Sequence, residues 1–389
     1  MLRRARGFLV FLFSLSFLLF ASQDASSASL PKSTQEILKK LKLDPSILDN
    51  IESELQVPES WITKAREEGK LRIFEVATSK QMKAFLAPFK ERYPFIDVKH
   101  PDSSRRVRTI KTLFAYKTGR ILADIVVSVS SQLAAYKEAD ALEDLRSIPN
   151  MRYLAEGTKD PNGFWVGFET NYYCMAYNTK LVKKQELPKE WEDLINNPIW
   201  RDGNLALVNR PNLWAVQLWK TKGEKWTKNF LTQLLTEVKP QFRKEGLSAG
   251  LELTAAGEFH AVIPAVHPFT YQRSLAGAPV SFSCPEPVPS AVNDLIILKG
   301  APNTYAAKVY INWLLSREGQ LARYFARSAS PVRKDLSRPE FIPFADQILG
   351  KEVSFRDPGL ETKVLPALTE FWNNLWLRGG GALRRGRRR

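Results

Sequence analysis

Gly163-Phe-Trp-Val-Gly-Phe-Glu-Thr-Asn-Tyr-Tyr-Cys-Met-Ala-Tyr-Asn-Thr-Lys-Leu-Val182 is the stretch on which the reading of this chain turns. Asp160-Pro161-Asn162-Gly163 opens it as a turn, and Asn178-Thr179 closes it. The intervening run of about fifteen residues is aromatic and β-branched, the composition of an extended strand at about twice the usual length. A strand that long can pass through two lobes and join them as a hinge. Neighbouring strand side chains point to opposite faces, so only one of Tyr172 and Tyr173 can face a cleft between such lobes. Tyr172 is the candidate, with Glu169 near it on the same strand. Glu169 is suited either to a cationic part of a ligand or to a nearby arginine.

Before the hinge, strand patterns at 71–77, 96–99 and 123–129 alternate with helical patterns at 81–93, 105–114 and 132–138. Such alternation predicts an α/β lobe with a largely parallel sheet covered on both faces. Ligands of such sheets bind outside the carboxyl ends of the strands. Thr78, Ser79, Ser103, Ser104, Ser128, Ser130 and Ser131 stand there. Hydroxyls at helix starts suit a polar or anionic group; simple N-capping is the plainer role for part of this set.

After the hinge, the strand 205–208 leads into Asn209-Arg210-Pro211-Asn212, which precedes a helix, and Arg210 beside that helix start suits an anion clamp. Ser248 opens a further helix. The strand 259–264 ends near His267 and Tyr271. A strand at 280–284 follows, and 292–298 predicts a second crossing strand that returns to the first lobe. Late helices include 365–377, with Trp372 and Trp376 as packing anchors.

The 389 residues suffice for two cores. Arg3, Arg4 and Arg6, the apolar run 7–20 and the small residues ending at Ala28 form a signal-peptide pattern, and the apolar run is too short to span a bilayer. The expected location is the periplasm. About half of the net charge of +16 lies in this leader and in the Arg-rich end 378–389, which is expected to be disordered. A nucleic-acid role needs a basic face on the folded lobes, so none is expected. An oxidising compartment permits a Cys174–Cys284 bridge, but spacing does not choose between a bridge and two buried thiols. There is no Gly-x-Ser-x-Gly, no His-Glu-x-x-His and no phosphate-cradling Lys loop, and the three histidines are scattered. Catalysis, cofactors and a metal site are not expected.

Several segments carry a family resemblance. They are Lys64-Ala-Arg-Glu-Glu-Gly-Lys70, Ala123-Asp-Ile-Val-Val127, Gly163-Phe-Trp-Val-Gly167, Ala176-Tyr-Asn-Thr179, Trp191-Glu-Asp-Leu194, Ala256-Gly-Glu-Phe259, Ile297-Leu-Lys-Gly-Ala-Pro-Asn303 and Leu314-Leu-Ser-Arg-Glu-Gly-Gln320. In this order the chain resembles extracellular solute-binding proteins of the ferric-iron-transport type over about residues 58–335. The resemblance implies a type II periplasmic-binding-protein fold with two βα lobes, two hinge strands and a ligand cleft. It also implies a monomer that captures a small-molecule solute and delivers it to an inner-membrane ABC permease. The expected layout is a signal peptide (1–28), a helical extension (29–57), the first lobe (58–170), the second lobe (171–290), a return to the first lobe with C-terminal helices (291–377) and the tail (378–389).

Iron-binding members place a carboxylate after the third strand and two adjacent tyrosines after a late strand. Here those places read Ser130 and Val266-His267-Pro268, with Tyr271 beyond. Ferric iron needs hard oxygen donors, so the expected solute is anionic or zwitterionic. Iron or an iron chelate on the same fold, and a ligand-sensing domain for a membrane receptor, are the alternatives.

Overall fold

The computed structural model describes residues 30–75, 77–101, 104 and 106–386. The expected signal peptide and Ser103 lie outside the described residues. Among the described residues there are ten strands: β1 (Lys70–Phe74), β2 (Asp97–Lys99), β3 (Ile125–Val127), β4 (Val166–Asn178), β5 (Leu205–Val208), β6 (Gln241–Arg243), β7 (Ala261–Val266), β8 (Val280–Ser283), β9 (Val288–Ile297) and β10 (Val353–Phe355).

β4 is the hinge stretch, 13 residues long and buried everywhere but Tyr173. Burial on both faces is why its sequence is a solid apolar run rather than an alternation. Its two halves have different partners. Val166–Tyr172 pairs antiparallel with β9, from Val166↔Leu295 to Tyr172↔Ser290. Tyr173–Asn178 pairs antiparallel with β7 and β8. The first lobe's sheet runs β2-β1-β3-β9, and the second continues from β7 through β5 to β6. The strands therefore form one hydrogen-bonded path, but the two sheets meet on different residues of β4. At Gly167 the register shifts, and a Cβ there would sit 2.7 Å from the Thr158 carbonyl and 2.8 Å from Val292 Cβ. Only glycine permits that approach.

β9 starts four residues before the expected 292, because Val288–Ser290 also pairs in parallel with β10. β10 is three residues long and gives too little pattern to read from sequence. In the first lobe, Phe85 and Phe89 pack against Tyr310 and Trp313. The N-terminal extension is tied to this lobe through buried Glu54, which accepts from Arg317 at 2.6 Å and Arg333 at 3.1 Å.

The C-terminal helix Pro358–Gly386 corrects the expected layout. Leu368, Trp372 and Trp376 are buried with Trp191, Trp200 and Trp214 in the second lobe's core, not in the first lobe. Trp372 Nε1 donates to Asn209 Oδ1 at 2.9 Å. The large aromatic face goes where the matching aromatic core lies, which local sequence does not specify. The helix extends to Gly386, into the segment expected to be disordered; extending an established helix costs less than nucleating one.

Candidate functional site

The hinge carries a buried charge cluster. Glu169 accepts from Arg323 Nε at 2.6 Å and Arg327 Nε at 3.2 Å, and from the Asn293 amide. Arg323 also donates to Glu75 at 3.1 Å. Burial opposes ionisation of Glu169, but the two guanidiniums prevail and hold its carboxyl at about 2. Of the two roles open to Glu169, the geometry is the ion pair: the side chain is fully enclosed, and its charge is already met. Arg323 and Arg327 were missed in the sequence. Their four-residue spacing on the helix Arg317–Arg327 was the available signal.

His267 and Tyr172 belong to the same buried region. His267 Nδ1 accepts from the Tyr172 amide at 3.1 Å, and Nε2 lies 3.1 Å from Ser330 Oγ. The two rings meet edge to face with centroids 5.0 Å apart. Neither is open to a solute, since both are buried. Burial pushes the His267 imidazole down to about 3, against a small upward pull from Glu169. The unfolded chain, with an ordinary pKa near 6.5, takes up a proton that the folded state refuses between those values. Stability is then full above pH 6.5 and is lost as pH falls, by about 2 kcal/mol at pH 5. Urea midpoints at pH 7 and pH 5 measure this loss, and His267→Gln should flatten the slope between them.

At the end of β3, Ser128 takes φ 57° and turns the next amides onto Asp294. The carboxylate accepts from Val129 N at 2.9 Å and Ser130 N at 3.3 Å. Burial raises the Asp294 carboxyl, and these bonds counter it. The amides at the end of β3 are thus taken up by a side chain of the protein itself. Ser128 Oγ donates to Asn293 at 3.3 Å.

The remaining predicted residues divide. Thr78 forms a capping box with Gln81, and Gln81 accepts from Arg327 at 3.3 Å, so Thr78 braces the hinge cluster. Ser79 and Ser104 are exposed, and Ser104 Oγ accepts from Val107 N at 3.4 Å. Ser248 is exposed in the helix Leu247–Ala256. Tyr271 packs edge to face on Phe344, 5.6 Å between centroids, and hydrogen-bonds Tyr324. Arg210 and Asn212 remain at an open site. Arg210 is exposed, and among the described residues its guanidinium donates to the neighbouring Asn209 carbonyl, at 2.8 Å.

Two adjoining cavities lie at the strand ends. One of about 670 Å³ is bounded by Ser130–Gln132 and Ala134–Ala135 of the first lobe and by the C-terminal helix. The other, about 400 Å³, is bounded by Asn209–Asn212 of the second lobe and the same helix. They share Leu365, Thr369 and Asn373. These helix residues were not predicted as site residues; the signal was the pair Thr369 and Asn373 at four-residue spacing, flanking the tryptophan stripe. Cavities of this size at the rims can hold a small solute. Among the described residues, no group of three or more His, Cys, Asp or Glu side chains is placed to hold a metal, and no helix is long and apolar enough to cross a membrane.

The fold is that of solved binding proteins. Iron-bound HitA from Pseudomonas aeruginosa superposes with TM-score 0.64 at 19% identity, over 79% of this chain and 99% of that one. AfuA from Actinobacillus pleuropneumoniae, with exogenous fructose-6-phosphate bound, gives 0.57 at 20% identity, over 73% and 92%. These are type II periplasmic binding proteins with two lobes. An uncharacterized protein of Haemophilus influenzae is 30% identical over 155 residues, 37% of this chain, and the chain spans only 42% of that relative's length. Residues 120–345, more than half of the chain, match the family model for bacterial extracellular solute-binding proteins. With its crossing strands, paired lobes and rim cavities, the chain belongs to the bacterial extracellular solute-binding protein family.

Proposed function

We propose that this protein captures a small anionic or zwitterionic solute in the periplasm, after removal of its signal peptide, and hands it to an inner-membrane ABC permease without chemical change. The observation that carries the reading is Arg210. It is exposed beside a cavity of about 400 Å³ whose other polar walls are Asn209, Asn212, Thr369 and Asn373. A guanidinium among amides and a hydroxyl suits a carboxylate, phosphate or sulfonate. A phosphate-bearing solute such as that held by AfuA fits this chemistry. Ferric iron fits it less well, because Tyr172 is buried, Tyr271 is bonded to Tyr324 and Ser130 stands where a carboxylate would be needed.

The β4–β9 hinge allows closure over the solute. Binding should raise the melting temperature and contract the low-angle scattering envelope. Arg210→Ala should weaken an acid-bearing solute by about tenfold or more while leaving the melting temperature of the free protein unchanged. Titration calorimetry against small carboxylates, phosphate esters and ferric citrate measures this. A response to ferric citrate alone would sink the anion reading.

A further inference from the structure

The C-terminal helix lies beyond residues 120–345 matched by the family model, yet it walls both rim cavities. Its side chains fall into stripes at four-residue spacing, as helix geometry requires. Leu368, Trp372 and Trp376 anchor it in the second lobe's core. The next stripe, Leu365, Thr369 and Asn373, forms the ridge between the two cavities. The next, including Glu370 and Asn374, borders only the larger cavity, across from Ser130–Ala135. The second lobe therefore meets that cavity through this helix and not through the Arg210 loop.

These polar groups are uncommitted. Among the described residues, the side chains of Gln132, Thr369, Glu370, Asn373 and Asn374 make no hydrogen bond or ion pair with the rest of the chain. The chemistry of the two cavities also differs. The smaller one holds Arg210. The larger one has no Lys, Arg or His in its wall and carries the free Glu370 carboxylate, the Glu361 carboxylate already paired with Arg356, amides and hydroxyls. Such a wall repels an acid group and suits an ammonium or a row of hydroxyls.

We propose that the C-terminal helix is the second lobe's wall of the solute site, and that the site takes a two-ended solute. Its acid group lies beside Arg210, and its ammonium or polyhydroxyl part lies between Gln132, Glu370 and Asn373. The proposal rests on the anion reading of the Arg210 cavity and adds the second end. A rigid, core-anchored helix is a better platform for selection than a loop.

Four probes separate the ends: gluconate (acid and hydroxyls), 6-aminohexanoate (acid and ammonium), hexanoate (acid alone) and sorbitol (hydroxyls alone). Calorimetry on the full mature chain should show gluconate and 6-aminohexanoate binding at least about tenfold more tightly than the other two. Asn373→Ala should weaken both by about tenfold, and Glu370→Gln should weaken only 6-aminohexanoate. Both positions are exposed, so melting curves of the free variants should match the wild type. Hexanoate binding as tightly as the two-ended probes would overturn the proposal, as would affinities unchanged in both helix variants. If the helix variants weaken binding and Arg210→Ala does not, the helix wall stands and the anion reading falls. If only Arg210→Ala weakens binding, the helix wall falls alone. Silence of all four probes counts against both.

Discussion

Arg323→Met should destabilise the protein by about 3–5 kcal/mol, because it strips a counter-ion from a buried carboxylate. Arg323 is 1% exposed and bridges Glu75 on one side and Glu169 on the other. Glu169 would keep Arg327, at 3.2 Å, and Asn293. Its carboxyl, now held at about 2 chiefly by the two arginines, would rise toward and above the ordinary value. Wild type keeps the full contribution of Glu169 above pH 4.5 and loses it as pH falls toward 2, since the folded pKa is depressed. In Arg323→Met a carboxyl pushed above its ordinary value reverses this sign, so protonating Glu169 as pH falls should relieve the folded state and offset part of the His267 loss. Urea unfolding at pH 7 measures the loss. Adding Glu169→Gln should recover part of it, since the stranded charge is then gone. A single variant with a wild-type midpoint would show that the cluster contributes nothing net. The cluster also sits where β4 passes from β9 to β7, so its loss should loosen the hinge as well as the fold.

Removing the Cys174–Cys284 bridge should cost about 4–5 kcal/mol, the loop-closure value for a loop of roughly a hundred residues. The two cysteines are 110 residues apart in sequence and 5.0 Å apart at Cα. Both are fully buried in a hydrophobic cluster of the second lobe. The double variant Cys174→Ala/Cys284→Ala should unfold at a markedly lower urea midpoint, and dithiothreitol should shift the wild type in the same direction without affecting the variant. A midpoint unmoved in both comparisons would mean that the β4–β8 pairing alone holds this lobe. The bridge follows from register. Met175 stands opposite Ser283 in the antiparallel β4–β8 pair, which brings the preceding Cys174 and the following Cys284 face to face. The sequence left both the bridge and two buried thiols open, because register is a property of two strands together.

The candidate site was legible in the same uneven way. Arg210 and Asn212 could be placed because they follow a short apolar strand and open a helix, a purely local arrangement. Ser104 and Ser248 could be placed at helix starts by the same logic, but they serve as surface and capping groups. Glu169 was visible as a charge on an apolar strand. Its partner, Arg323, lies 154 residues away, and no local pattern links them. His267 stood at a strand end as expected, but whether it faced the cleft or the core depended on how Tyr172 and Ser330 packed around it. Asp294 was read only as part of a strand, and it holds the Val129 and Ser130 amides at the end of β3.

The sequence by itself determined the order of strands and helices, the hinge strand and the division into two βα halves. These rest on periodicity and turn chemistry, which act over a few residues and survive in isolation from the rest of the chain. Only the tertiary structure decided that Trp372 and Trp376 dock in the second lobe, that the C-terminal helix borders both cavities, and that the hinge charges neutralise each other. Those outcomes depend on which distant surfaces are complementary in shape and charge, and many pairings are compatible with the same local pattern until the chain closes on one of them.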